Sequence, residues 1–225
     1  MTTSATATPS PPTPDAAPAR ARNSRPHGKD PVGRERILEA AAQLFVQHGY
    51  AATTTRLIST TVGIKQPSLY YHFPNKASML LELLLTTAKP SVLKARELQS
   101  EVQRSPLERL LDLMRFDVQL LASGPWNIGS LYLLPEVTGA EFEEFRTLRY
   151  ELIAVYGELL SLAIDAGEAH VESASKTSAL LFSIVEGVIL RRADDPDLSA
   201  DATAEGIEEA TVRILAAQRD TPSAT

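Results

Sequence analysis

Apolar residues recur every three or four positions along most of the chain, which is the spacing of one face of an α-helix. The pattern predicts a first helix that begins near Asp30 and Pro31, a long helix that Pro90 ends or kinks near Ala88, and a helix from Pro106 to Leu121. Further helices are predicted over residues 140–165, 177–192 and 202–218. No stretch alternates apolar and polar residues between hairpin turns, so we expect an all-α fold without a sheet.

Two brief helices separated by a turn are predicted between the first helix and the long one. Thr53–Thr55 offer side-chain oxygens that cap a helix over about residues 54–61. Gly63 accepts a positive φ at the turn, and Pro67 suits the first turn of a second helix over residues 67–73. This is the arrangement of a helix-turn-helix, whose second helix enters the major groove of DNA.

The predicted second helix has an apolar side and a polar side. Leu69 and Phe73 are expected to point inward. Polar or amphipathic side chains are expected on the outside, namely Gln66, Ser68, Tyr70, Tyr71 and His72. Asn75 is expected to cap the next helix, whose first turn carries Lys76, and a lysine at a helix start suits a phosphate. A helical hairpin inside an ordinary core is the alternative interpretation.

The distribution of charge favours the DNA-binding interpretation. The chain of 225 residues has a net charge of −6, which by itself argues against a nucleic-acid partner. Residues 1–80 nevertheless carry +5 and the remaining residues −11. The basic end is therefore where a polyanion would bind.

Composition excludes several other classes. The chain has no cysteine, so it forms no disulfide and has no thiolate chemistry, which fits a cytoplasmic protein. No apolar run approaches the length of a membrane span, and the N-terminal residues lack the apolar core of a secretory signal. The four histidines have no metal-binding spacing, and no phosphate-binding glycine loop or nucleophile elbow is present. We therefore expect no enzyme activity, no cofactor and no metal.

Residues 34–80 resemble the DNA-binding domain of the TetR family of ligand-responsive transcriptional regulators, above all in GYAATTTRLI, VGIKQPSLYYHF and NKASML. By position, Thr53 and Lys76 resemble the family's phosphate-contacting threonine and lysine, and Gly63 its turn glycine. The recognition segment corresponds to Lys65, Gln66, Pro67, Ser68, Tyr70, Tyr71 and His72. Lys65 stands where serine is common in the family, which adds a cation to this segment.

Aromatic residues concentrate between residues 116 and 156, around a segment broken by glycines and prolines. They form either an ordinary aromatic core or an apolar pocket with a few polar groups, among them Arg115, Asp117 and Glu136. The family resemblance implies a small-molecule pocket in this part of the chain. Its predicted lining is Met114, Phe116, Trp126, Asn127, Tyr132, Phe145 and Tyr156.

The last two predicted helices are candidates for a subunit interface. The helix over 177–192 is apolar around most of its circumference, and the last helix has an apolar stripe. Packing within the chain is one explanation, and a four-helix dimer interface, as in TetR-like proteins, is the other. The predicted interface residues are Leu181, Ile184, Val185, Val188, Ile207, Thr211 and Ile214.

These predictions combine into an N-terminal three-helix DNA-binding domain and a C-terminal helical bundle. The expected regions are a disordered tail with a basic end over residues 1–29, the helix-turn-helix domain over 30–76, the ligand-binding and dimerisation domain over 77–219, and a tail over 220–225. The basic end is either an arm on DNA or a solubilising tail. The predicted function is a homodimeric repressor that binds palindromic double-stranded operator DNA and is released by a small apolar or aromatic effector. A helical small-molecule or protein binding module without DNA binding is the alternative.

Overall fold

The computed structural model describes Met1 and residues 33–216, and these form eight α-helices and no strand. The helices are α1 (Arg34–His48), α2 (Thr55–Val62), α3 (Gln66–His72), α4 (Lys76–Ser100), α5 (Pro106–Ala122), α6 (Glu143–Asp165), α7 (Ala174–Asp194) and α8 (Ala200–Ala216). Short 3-10 helices cover Ile128–Leu133, Pro135–Thr138 and Ala140–Phe142. The all-α prediction is confirmed. Two predictions lie outside the described residues. They are the two tails, apart from Met1, and the helix start at Asp30 and Pro31.

Local sequence signals explain how α2, α3 and α4 begin and end. The Thr54 hydroxyl accepts a hydrogen bond from the Leu57 backbone N–H at 3.1 Å and so caps α2. Gly63 ends α2 with φ at 77°, a left-handed conformation that favours glycine. Pro67 lies in the first turn of α3, and Asn75 caps α4 through the Ser78 N–H at 2.8 Å. All of these sequence predictions are confirmed.

Pro90 was predicted to end or kink the fourth helix, and the structure shows that it does not end it. Helix α4 continues for ten residues beyond Pro90, to Ser100. A proline inside a helix costs about 3 kcal/mol. Burial continues on both sides of Pro90, through Ala88, Val92 and Leu98, where α4 packs against α5 and α6. We infer that this packing offsets the cost of the missing backbone hydrogen bond.

Two clusters of buried side chains divide the described residues. The head cluster joins α1, α2, α3 and the first half of α4, and includes Phe45, Ile58, Leu69 and Phe73. The body cluster joins the rest of α4 with α5, α6, α7 and α8. The head cluster also contains Leu131, Val137, Phe142 and Phe145, which belong to the 3-10 segment and the start of α6. The segment between α5 and α6 is therefore part of the core of the head.

Most of the interface residues predicted on α7 and α8 face the protomer's own core. Leu181, Val185, Val188 and Thr211 are buried within the single chain, so their assignment to a subunit interface was wrong. Ile184, Ile207 and Ile214 are partly buried. The exposed apolar side chains of these helices are instead Leu180, Leu190 and Val212. None of the described helices is both long and apolar enough to cross a membrane.

Candidate nucleic-acid interface and effector chamber

Helix α3 presents a polar and aromatic face to solvent because its apolar face is fixed in the head cluster. Leu69 and the capping residue Phe73 are fully buried, as predicted from their spacing. Tyr71, between them, is 86 % exposed. The other exposed residues of the segment are Lys65, Pro67, Ser68 and Tyr70, while Gln66 and His72 are partly buried. The predicted recognition residues thus share one short helix with a largely accessible face.

Hydrogen bonds hold α3 in a defined orientation against α2. The hydroxyls of Thr55 and Tyr70 lie 3.1 Å apart, and the Gln66 amide lies 3.5 Å from the same Thr55 hydroxyl. Exposed Arg56 on α2 and Lys65 at the start of α3 add two positive charges to this side of the head. Thr55 and Arg56 were not among the predicted site residues, although their position in the first turn of α2 was available as a signal.

Thr53 does not present its side chain to solvent, so its prediction as a phosphate contact was wrong. The residue is 1 % exposed, and its hydroxyl donates towards the carbonyls of Leu44, at 3.1 Å, and Gly49, at 2.9 Å. It therefore ties the end of α1 to the start of α2. Thr54, the neighbouring capping residue, is exposed at the position where a phosphate would approach the helix.

Lys76 also has partners within the chain. Its ammonium group donates to the Tyr50 carbonyl at 2.7 Å and the Thr53 carbonyl at 3.0 Å, and it lies 4.0 Å from the centre of the Tyr50 ring. Burial lowers the pKa of Lys76. Two of its three donors thus fasten α4 to the turn before α2, so a phosphate contact would add to a structural role.

Arg34 holds the C-terminal end of α3. Its guanidinium lies 4.1 Å from the centre of the Phe73 ring, donates to the His72 carbonyl and forms an ion pair with Glu82 on α4. Sequence spacing gave no signal for these contacts, because the partners lie 38 and 48 residues away. Arg34 therefore sets the position of α3 relative to α1 and α4.

Two adjoining chambers lie in the body. The outer chamber has a volume of about 340 Å³, and the inner chamber has about 30 Å³ of free space. The outer lining includes Thr86, Leu120, Pro125, Trp126, Ile128 and Arg192. The inner lining includes Ser91, Asp117, Tyr132, Arg149, Phe182 and Glu186. Thr87 and Leu121 line both chambers, so these two side chains form the boundary between them.

The predicted pocket residues divide between the chambers and the surrounding core. Trp126 lines the outer chamber and Tyr132 the inner one. Phe145 packs against Tyr132 with the ring centres 5.0 Å apart, and Tyr156 donates to Asp117 at 2.7 Å. Like Phe145 and Tyr156, the other three predicted residues lie outside both linings. Met114 is buried in the body cluster, Phe116 is partly buried, and Asn127 donates to the Ile189 carbonyl at 2.9 Å.

The segment after α5 is fastened to α7 by a buried arginine that the sequence analysis missed. Arg192 is 8 % exposed and donates to the carbonyls of Leu121, Ser123 and Trp126 at 3.1, 2.7 and 3.2 Å. It also donates to the Gly124 carbonyl. These contacts hold the wall of the outer chamber against α7. An arginine in the last turn of an otherwise apolar helix was the available signal.

Gly129 allows the same segment to approach α7 closely. A Cβ atom at this position would lie 2.5 Å from Cγ1 of Ile189, a distance at which side chain or backbone must shift. The segment that lines the outer chamber is therefore packed against α7 without intervening space. Farther along the same segment, Leu131 and Val137 belong to the head cluster, which also contains Leu69 of α3. The segment therefore connects the chambers physically with α3.

Comparisons with known proteins agree with this architecture. Residues 37–83 match the model of the tetR family of bacterial regulatory proteins. The chain is 30 % identical to the probable HTH-type transcriptional regulator ArpR of Pseudomonas putida over 182 residues, 75 % of this chain and 85 % of that protein. It is 26 % identical to the probable acrEF/envCD operon repressor of Escherichia coli, of whose length the match spans 46 %.

A solved structure is similar over most of the chain. The crystal structure of Mycobacterium smegmatis AmtR superposes with a TM-score of 0.74 and 37 % sequence identity, over 85 % of this chain and 88 % of that one. The similarity therefore covers the body as well as the head. With the family match over the helix-turn-helix and a relative at 30 % identity over most of its length, the chain belongs to the tetR family of bacterial regulatory proteins.

Proposed function

We propose that the protein is a transcriptional repressor that binds double-stranded operator DNA through α3 and releases it when a small molecule occupies the body. The observation that carries this proposal is the exposed face of α3. Tyr71 on this face is exposed to solvent, while Leu69 and Phe73 on the opposite face are buried and anchor the helix. Repression is proposed because relatives of this chain are named as repressors. A binding module without DNA contact would leave this face without a role.

The separation of the two α3 helices in a dimer is the quantity that an effector would change. Recognition helices in a two-fold dimer must reach half-sites about 34–36 Å apart. The segment over Ile128–Phe142 lines the outer chamber at one end and enters the head cluster at the other. A ligand that displaces this segment would move the head relative to the body, and a shift of a few ångströms would weaken DNA binding.

Replacing Tyr71 with alanine is expected to weaken binding to operator DNA about tenfold or more, because one good groove contact contributes about 1–3 kcal/mol. The operator is first selected from random double-stranded DNA, and affinity is then measured by fluorescence anisotropy at several salt concentrations. Tyr150→Ala is the matched control, since Tyr150 is 68 % exposed on α6 in the body. Equal affinities of the two variants would contradict the assignment of α3, and absence of any DNA complex at low salt would contradict the proposed function.

We further propose that the protein is a homodimer whose interface is the outer face of α7 and α8. Leu180 and Leu190 lie ten residues apart on one side of α7, with the small residues Ser183 and Gly187 between them. Small residues between apolar ones allow a second helix to approach closely. Val212 is the exposed large apolar side chain of α8.

Replacing Leu190 with aspartate is expected to convert the dimer to a monomer, because a charge would be buried in the interface. Sedimentation equilibrium measures the association constant. Leu93→Asp is the matched control, since Leu93 on α4 is 64 % exposed and Leu190 is 63 % exposed. If both variants stay dimeric, a different surface forms the interface.

A further inference from the structure

Asp117 is a buried carboxylate with one unsatisfied oxygen. The residue is 3 % exposed and lines the inner chamber. Its Oδ2 atom accepts a hydrogen bond from the Tyr156 hydroxyl at 2.7 Å, but Oδ1 has no hydrogen-bond partner although it is shielded from solvent. Buried polar atoms are nearly always paired, because an unpaired one costs about 1–3 kcal/mol. The inner chamber therefore lacks a donor at Oδ1.

The charges around the inner chamber are not balanced. Arg149 is the only cation of the lining, and it forms an ion pair with Glu186 across α6 and α7. Asp117 has only neutral hydroxyls as partners, those of Tyr156 and Ser91, and no cation. Two acids and one base thus line the chamber. A positively charged donor would both satisfy Oδ1 and balance the charge.

The size of the chambers limits the shape of the missing group. About 30 Å³ of free space next to Asp117 holds one water-sized group, which matches a primary ammonium and is too small for three methyl groups around a nitrogen. The outer chamber of about 340 Å³ begins at Thr87 and Leu121 and is lined by apolar side chains such as Trp126 and Ile128. It is large enough for an aromatic ring or a short alkyl chain.

We propose that the effector is an amphipathic primary amine, whose ammonium group pairs with Asp117 in the inner chamber while its apolar part occupies the outer chamber. This inference rests on the proposed role of the body as the effector sensor. It refines the apolar or aromatic effector expected from sequence by adding one positive charge. The bound amine would extend from one chamber to the other past Thr87, whose hydroxyl is hydrogen-bonded to that of Tyr132.

The test uses the full chain and the fluorescence of Trp126, which is the only tryptophan and lines the outer chamber. Binding of 2-phenylethylamine is compared with binding of 2-phenylethanol and of the N,N,N-trimethylated amine. We expect the primary amine to bind at least tenfold more tightly than either of the others. Equal affinities for the amine and the alcohol would overturn the proposal, and so would equally tight binding of the trimethylated amine.

A charge-removing variant provides a second readout. Asp117→Asn is expected to lower affinity for 2-phenylethylamine at least tenfold and to leave affinity for 2-phenylethanol unchanged, whereas Asp112→Asn on the same helix changes neither. Amine affinity in the unmodified protein should also fall as pH drops below about 6, where Asp117 takes up a proton in the presence of Arg149, Glu186, Tyr132 and Tyr156. Unchanged amine affinity in Asp117→Asn would overturn the assignment of the counter-ion.

The ligand assay is independent of DNA, so the two proposals fail separately. A chain that binds operator DNA but does not prefer the amine contradicts only the effector class. A chain that binds the amine but no DNA contradicts the proposed repressor function. Where both bind, addition of 2-phenylethylamine at saturating concentration is expected to lower operator affinity at least tenfold, and no change would contradict the link between the chamber and the head.

Discussion

Replacing Arg192 with alanine is expected to lower the free energy of unfolding by about 3 kcal/mol or more. Its guanidinium donates to one backbone carbonyl in the last turn of α5 and to three in the segment that follows, and a hydrogen bond to a charged group contributes about 1.5–3 kcal/mol. Alanine would remove the donor from these carbonyls, of which that of Leu121 is buried, and open a space beside the outer chamber. Urea unfolding followed by circular dichroism and by Trp126 fluorescence measures the effect.

The neighbouring arginine provides the control. Arg191 is exposed in the same turn of α7, so Arg191→Ala should change stability by less than about 0.5 kcal/mol. Arg192→Lys should recover only part of the loss, since an ammonium has three donors on one atom and cannot span the carbonyls that the planar guanidinium reaches. Equal stability of the two alanine variants would show that the segment is held by its apolar contacts alone.

Replacing Asp117 with asparagine is expected to raise the free energy of unfolding at pH 7 by about 3 kcal/mol. Burial raises the pKa of Asp117 from its ordinary value of 3.8 to about 6. Between about pH 4 and pH 6 the folded chain therefore holds a proton that the unfolded chain has released, so this residue makes stability fall as pH rises through that window. Above about pH 6 the full cost of the buried charge is present, and asparagine removes it.

The difference in unfolding free energy between the unmodified chain and Asp117→Asn isolates the titration of Asp117 from that of all other groups. Unfolding free energies are measured at intervals from pH 4 to pH 8 for the unmodified chain, Asp117→Asn and Asp112→Asn. The advantage of Asp117→Asn should grow between about pH 4 and pH 6 and then stay constant. A constant difference at every pH would show that Asp117 does not titrate in this range. A carboxylate that costs stability at neutral pH is what a binding site is expected to contain.

Signals that act within a few residues were sufficient to predict the recognition unit. Thr54, Gly63 and Pro67 specify where α2 begins, where the chain turns and where α3 begins, and each acts through its own backbone or a neighbour's. The four-residue spacing of Leu69 and Phe73 then decides which side of α3 is buried. The exposed face follows from these local rules without reference to the body.

Contacts between distant parts of the chain explain the errors. Thr53 was expected to contact phosphate, but its hydroxyl is held by backbone carbonyls at the end of α1. Lys76 has two carbonyl partners before α2 that the sequence did not indicate, and its phosphate contact stays a prediction. The interface residues were chosen on α7 by hydrophobicity, which cannot distinguish the side that faces the protomer's core from the side that faces a second subunit. Leu181 and Leu180 are adjacent leucines with opposite surroundings.

The pocket was predicted only in outline for a related reason. Aromatic residues indicated a region in which the structure has two chambers, and Trp126 and Tyr132 line them. The linings are completed by Thr87, Arg149 and Glu186, which lie on α4, α6 and α7 and show no common spacing in the sequence. Asp117 was predicted as a polar group of the pocket, but its lack of a charged partner becomes visible only when the surrounding helices are in place.

The head and the segment before α6 share one core. This shared core limits how the head of one regulator can be joined to the body of another. Leu131, Val137 and Phe142 are separated by more than fifty residues from α3, yet they complete the cluster that supports it. A chimaeric regulator that joined this head to a foreign body at residue 76 would keep every recognition residue and lose part of their support. An exchange of DNA specificity should therefore transplant the exposed face of α3 and leave the buried side of the head unchanged.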